Sequence, residues 1–252
     1  MGIGGHVRVL LAAALGLAGC RPSDPAAPGD AATEARMARE RERMMRVDIE
    51  GRGVRDPAVL AAMRAVPRHE FVPEDLLESA YADHPLPIGS GQTISQPYIV
   101  AAMTEFLQPA PHHVVLEVGT GSGYQAAVLA RVVRHVYSIE ILPELGERAR
   151  RRLERLGVGN VTVRVGDGYR GWPEQAPFDG ILVTCAPDHV PAPLVEQLRP
   201  GGRMVIPVGG EYAVQELVVL TKEADGSLSR ERVMPVRFVP MLRDRDAGIP
   251  PR

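Results

Sequence analysis

The chain has 252 residues, 45% of them hydrophobic and 24% charged, which is enough to bury one sizeable core and leave a tail. Its 29 Lys and Arg against 31 Asp and Glu give a formal net charge of -2. That excludes the basic balance that would argue for a nucleic acid or an anionic membrane surface as partner. Two cysteines and scattered histidines, with neither HExxH nor CxxC, offer no spacing for a metal centre and no disulfide framework.

The start, MGIGGHVRVLLAAALGLAGC, carries His6 and Arg8 and then an apolar run from Val9 to Ala18 that is too short to span a bilayer as a helix. Residues 1–20 therefore read as a signal peptide. The end of this segment, Leu17-Ala18-Gly19-Cys20, resembles a bacterial lipobox, which implies an acylated Cys20 and export as a membrane-anchored periplasmic lipoprotein. Translation from Met37, Met44 or Met45 would instead give an ordinary cytoplasmic chain. With Cys20 acylated, Cys185 has no partner and reads as a small core residue.

Residues 21–33, rich in Pro, Ala, Gly and Asp, read as a flexible linker, and 34–252 as the folded domain. Charges interleaved with Met37, Met44, Met45 and Val47 predict a solvated helix over Glu34 to Glu50; a chain cut to begin at Met45 is then expected to fold. Asp56-Pro57 supplies an N-cap and a first-turn proline for a helix that Pro67 stops. The polar stretch 86–97 reads as a loop before a helix starting near Pro97. Its Thr93 and Ser95 either cap that helix or bind a ligand.

Val114–Val118 is a short β-branched run that contains Glu117 and leads into Gly119, Gly121 and Gly123, with a helical pattern from Tyr124. A dinucleotide fingerprint would need glycine at 124, where Tyr124 stands, and there is no P-loop lysine. The turn is therefore either a tight corner or a place where a nucleotide-like ligand approaches the backbone. The next strand, His135–Glu140, ends in an acid that can accept both hydroxyls of a ribose or simply be solvated. An amphipathic helix over Glu144 to Leu156 follows, then strands at Val161–Val165, Gly180–Thr184, Arg203–Val208 and Glu216–Thr221. Alternation of this kind predicts an α/β, Rossmann-like, doubly wound and mostly parallel sheet with an N-terminal helical extension.

LEVGTGSGY, SIE and VGDGY together resemble the motif series of class I S-adenosylmethionine-dependent methyltransferases. VPRHEFVP (66–73), LPIGSGQTISQPYIVAAMTE (86–105), GDGYRGWPEQAPFDGILVTCAP (166–187), LRPGGRMVIPVG (198–209) and VRFVP (236–240) narrow the resemblance to the protein-L-isoaspartate O-methyltransferases, over roughly Asp48 to Leu242. It implies N-terminal helices over 34–85, a substrate loop over 86–97 and a Rossmann-like core over 98–242.

The implied reaction moves the methyl of S-adenosyl-L-methionine to the α-carboxylate of an L-isoaspartyl residue in damaged proteins and peptides, with no metal. Ser95 matches the family's active-site serine, with Thr93, Ile94 and Gln96 beside it and Asp83 an acid ahead of the substrate loop. Glu117, Gly119, Gly121 and Gly123 are implied on the methionine side of the cofactor, Glu140 at the ribose, Asp167 and Gly168 at the adenine, and Thr184 at the reaction centre. Asp167 is equally suited to a plain turn, and Ile206-Pro207-Val208 to either a groove wall or a core strand. A monomer is expected. Two alternatives stay open: a methyltransferase with another acceptor, and an exported protein that kept the fold without the activity.

Overall fold

Strands built from uninterrupted Val, Ile and Leu need cover on both faces, and helices on both sides of one sheet provide it. The computed structural model describes residues 1–2, 28–210 and 213–244. Its order is α1 (Pro28–Met44), α2 (Pro57–Ala65), β1 (Leu86–Gly89), β2 (Gln92–Ile94), α3 (Pro97–Leu107), β3 (Val114–Val118), α4 (Tyr124–Leu129), β4 (His135–Glu140), α5 (Pro143–Arg155), β5 (Val161–Val165), β6 (Phe178–Val183), α6 (Ala192–Gln197), β7 (Leu198–Val208), β8 (Gln215–Lys222) and β9 (Leu228–Val236). The signal and lipobox, Cys20 included, lie outside the described residues; none of the described helices is long and apolar enough to cross a membrane.

Seven strands form one sheet in the order β5-β4-β3-β6-β7-β8-β9. The first five run parallel, and β8 and β9 fold back antiparallel as a meander on the edge. β3 pairs with both β4 and β6. The chain leaves β3 to one side, returns after β5 and lays β6 on the other, so a crevice opens at the carboxyl ends of β3 and β6. Alternate residues serve opposite faces: Val115, Val136, Leu182 and Val205 join the core beneath the N-terminal helices, while Leu116, Ile181, Val183 and Met204 join a second core on the other face. Ile206, fully buried, belongs to that second core, the plain core-strand reading of 206–208.

Three expectations are corrected. First, α1 starts at Pro28, inside the segment expected as linker, because a first-turn proline needs no amide partner. That helix also buries Met37 and Met44, at 2% and 0% exposure, so a chain beginning at Met45 loses part of the core. Second, the supposed loop 86–97 contains an antiparallel hairpin of β1 and β2. Ser90 at φ 52° and Gly91 at φ 69° make the left-handed turn that such a short connection needs, while Leu86, Ile88 and Ile94 point into the core. Third, β9 went unseen because it is an exposed edge strand carrying Arg230, Glu231, Arg232 and Pro235, which blunt the edge and erase the apolar pattern.

Candidate active site

At the crevice between β3 and β6 lies a partly open cavity with about 740 Å³ of space, its solvent-open mouth included. Its floor is Val118-Gly119-Thr120-Gly121, one wall is Ile139 to Leu142, and Thr184 and Cys185 stand at the end of β6. Gly119 has φ 99°, and a Cβ there would sit 2.4 Å from the Thr184 hydroxyl. That hydroxyl donates to Gly119 O at 2.6 Å and also reaches Val118 O at 3.0 Å, pinning the β6 terminus to the glycine turn. A side chain at 119 would break this contact and fill the floor, so the bare backbone here keeps the cavity open.

Glu140 is 5% exposed and lines the cavity. Its Oε2 accepts from Gly121 N at 2.7 Å and its Oε1 from Leu142 N at 3.0 Å. Burial pushes this carboxyl above its ordinary value, against the two amides that favour its charge. Each oxygen retains capacity for one more donor, as a ribose diol requires.

Three residues expected at the cofactor, Glu117, Gly123 and Asp167, do not line the cavity. Glu117 is fully buried and faces its ladder neighbour on β4, Ser138, whose hydroxyl donates to Oε2. Ser138 also meets the Thr120 hydroxyl at 2.5 Å. Burial raises the Glu117 carboxyl from 4.5 to about 8, so it is mostly protonated at neutral pH, and Oε1 has no partner among the described residues. Glu117 thus supports the glycine turn from beneath. Gly123 lies against α5, where a Cβ would make only ordinary contact with Ala149 at 3.4 Å and Leu153 at 3.5 Å; its φ of 89°, at the N-cap of α4, is what calls for glycine. Asp167 accepts from Tyr169 N at 2.9 Å, the turn use, and Gly168 rather than Asp167 reaches the cavity wall.

Thr93, Ile94 and Ser95 close the cavity from the hairpin side. The capping reading of Thr93 and Ser95 does not hold, because α3 has Gln96 as N-cap with no side-chain cap bond. Asp83 takes that task from a distance: Oδ1 accepts from Tyr98 N at 3.1 Å, while Oδ2 accepts from Gln96 Nε2 and Arg52 Nη1, each at 2.7 Å. The hairpin is also tied to α5, whose Arg148 donates to Ile88 O at 2.9 Å.

A second, more open groove adjoins the first and is lined by Thr93, Ser95, Gln96 and Thr184 together with Met234 to Val239. Thr93, Ser95 and Thr184 line both spaces, so three hydroxyl-bearing residues stand where the inner cavity meets the open groove. Sequence reasoning missed the strap Val239 to Leu242 on the cavity wall, held by Ala186 N to Val239 O at 2.8 Å and Met241 N to Ala186 O at 2.9 Å. VRFVP was its only signal in the sequence. Cys185, expected in the core, is half-buried and faces the cavity; burial raises its pKa, keeping it a thiol.

The family model described as protein-L-isoaspartate(D-aspartate) O-methyltransferase matches residues 39–246. A protein-L-isoaspartate O-methyltransferase 2 of Polaromonas sp. is 58% identical over 195 residues, covering 77% of this chain and 92% of the relative. A protein-L-isoaspartate O-methyltransferase of Picosynechococcus sp. is 56% identical over 201 residues, covering 80% of this chain and 89% of the relative. Among solved structures, a protein-L-isoaspartate O-methyltransferase is 34% identical with a TM-score of 0.73; the match covers 79% of this chain and 65% of that one.

Proposed function

Because the chain belongs to the protein-L-isoaspartate(D-aspartate) O-methyltransferase family, we propose that it repairs damaged proteins by methylating the α-carboxylate of L-isoaspartyl residues. The observation that carries this is the junction formed by Thr93, Ser95 and Thr184, residues shared by an inner cavity and an open groove. A transfer between a small cofactor and a protein side chain needs such a junction.

S-adenosyl-L-methionine, when bound, supplies a methyl on a positively charged sulfur. Glu140 would accept from its ribose hydroxyls, and the bare Gly119-Thr120-Gly121 backbone would let it approach the floor. Gly168 shapes the adenine side. The acceptor carboxylate is already an anion at neutral pH, so the protein needs no general base. What the residues do is position: Ser95, with Thr93 and the hairpin backbone, orients the carboxylate toward the cavity. Gln96, fixed by Asp83, completes that wall. The hairpin on one side and Val239 to Leu242 on the other keep water from the junction.

The test is a methylation assay with matched isoaspartyl and aspartyl peptides. Methyl transfer to the isoaspartyl peptide alone is expected. Transfer to neither, in a protein that binds S-adenosylhomocysteine, would overturn the reading. Ser95→Ala should lower turnover on the isoaspartyl peptide at least tenfold, about 1.4 kcal/mol in the barrier, while calorimetric affinity for S-adenosylhomocysteine stays put.

The chain acts as a monomer in this reading; sedimentation at the chain mass of 27.2 kDa checks it. The Leu17 to Cys20 lipobox supports a membrane tether through an acylated Cys20. Mass spectrometry of the native N-terminus tests that tether: a start at Met37 or later sinks it.

A further inference from the structure

The open groove outside the junction has walls that are mostly apolar, with Val214 54% exposed and Phe238, Met234 and Ile99 half-buried. Two charged side chains line it, Arg52 and Arg237, and no carboxylate does among the described residues. Arg52 is held in place: its Nη1 donates to Asp83 and its guanidinium lies 3.5 Å from the Tyr98 ring centroid. Arg237 is exposed on another lining segment, Met234 to Val239, with no hydrogen bond or ion pair among the described residues. That segment contributes six consecutive residues to the wall. Extended chain rises ~3.3 Å per residue, so they run up to roughly 20 Å, well past one reacting residue. Neighbours of the isoaspartyl residue therefore lie within reach of the wall.

Resting on the repair reading above, we infer that Arg237, together with Arg52, selects substrates by charge, favouring isoaspartyl sites flanked by acidic residues over sites flanked by basic ones. The two positive side chains sit on a molecule of formal net charge -2, so the groove is set apart from the protein's average. A cleft lined by one sign of charge concentrates ligands of the other. Arg52 is partly compensated by Asp83 behind it, which leaves Arg237 as the stronger discriminator. An exposed pair is worth no more than about fivefold. Exchanging a flanking Glu for Lys turns an attraction into a repulsion, so the two peptides should differ by about tenfold in kcat/KM.

Three isoaspartyl peptides that differ only in Glu, Gln or Lys two residues before and two residues after the reacting site test this. For the full-length enzyme at low salt, kcat/KM should fall in the order Glu, Gln, Lys, spread mainly through KM, and the spread should shrink in high salt. Arg237→Glu should reverse the order, and Arg237→Lys should restore it. Equal kcat/KM for all three peptides overturns the charge selection and leaves the repair reading standing. Turnover of none of them overturns the repair reading itself. If Arg237→Glu loses all three in the same proportion, the guanidinium holds the reacting carboxylate and not its neighbours, which also overturns the selection.

Discussion

Glu117 and Glu140 lie near the ends of adjacent strands, yet their surroundings give them opposite tasks. Glu140 keeps two amide partners and an open side toward the cavity, so Glu140→Ala should weaken S-adenosylhomocysteine binding by about 1.5–3 kcal/mol, the range for bonds to a charged acceptor. Isothermal titration checks it. Glu117 faces only protein. Its folded value of about 8 lies above the ordinary 4.5, so between those two values the folded chain holds a proton that the unfolded chain has released. Its contribution to stability therefore falls as pH rises through that window, by up to about 1.4 kcal/mol per pH unit, and levels off above the folded value. Glu117→Gln removes this titration. The variant should gain on the parent steadily from about pH 5 to about pH 8 in urea unfolding; parallel stability curves would contradict the buried, protonated state.

At the scale of elements, Asp83 joins two pieces of chain: the segment carrying Arg52 and the start of α3, through Tyr98 N and the N-cap Gln96. A helix whose N-cap side chain accepts from none of its own amides depends on such an outside acceptor. Asp83→Ala should cost about 1–2 kcal/mol of stability, as loss of a cap does, and should raise KM for an isoaspartyl peptide more than it weakens cofactor binding. Denaturation together with steady-state kinetics separates the two effects. β3, β4 and β5 have the bounds that the apolar runs predict, β3 and β4 because well-covered strands announce themselves in composition and β5, a half-buried edge strand, through its alternating valines. The hairpin and β9 do not, since half of each faces solvent.

For the whole molecule, the N-terminal helix is part of the fold. Met37 and Met44 are buried at 2% and 0% exposure against the core beneath the sheet. A chain beginning at Met45 should lose about 3 kcal/mol or more, at roughly 1.5–3 kcal/mol per buried side chain. Thermal unfolding of chains beginning at residue 28 and at Met45 measures that difference; equal midpoints would show that α1 adds nothing.

The sequence by itself determined the parallel core, the glycine turn after β3 and the acid ending β4, together with the family those motifs mark. Each depends on residues close along the chain, where spacing and burial pattern carry the information. Only the tertiary structure decided which side of the ladder Glu117 takes and that the C-terminal strap walls the cavity. It also brought Thr93 and Ser95 to Thr184 where the two spaces meet. Those contacts join segments far apart in sequence, and their geometry is set by strand order and register rather than by any local pattern.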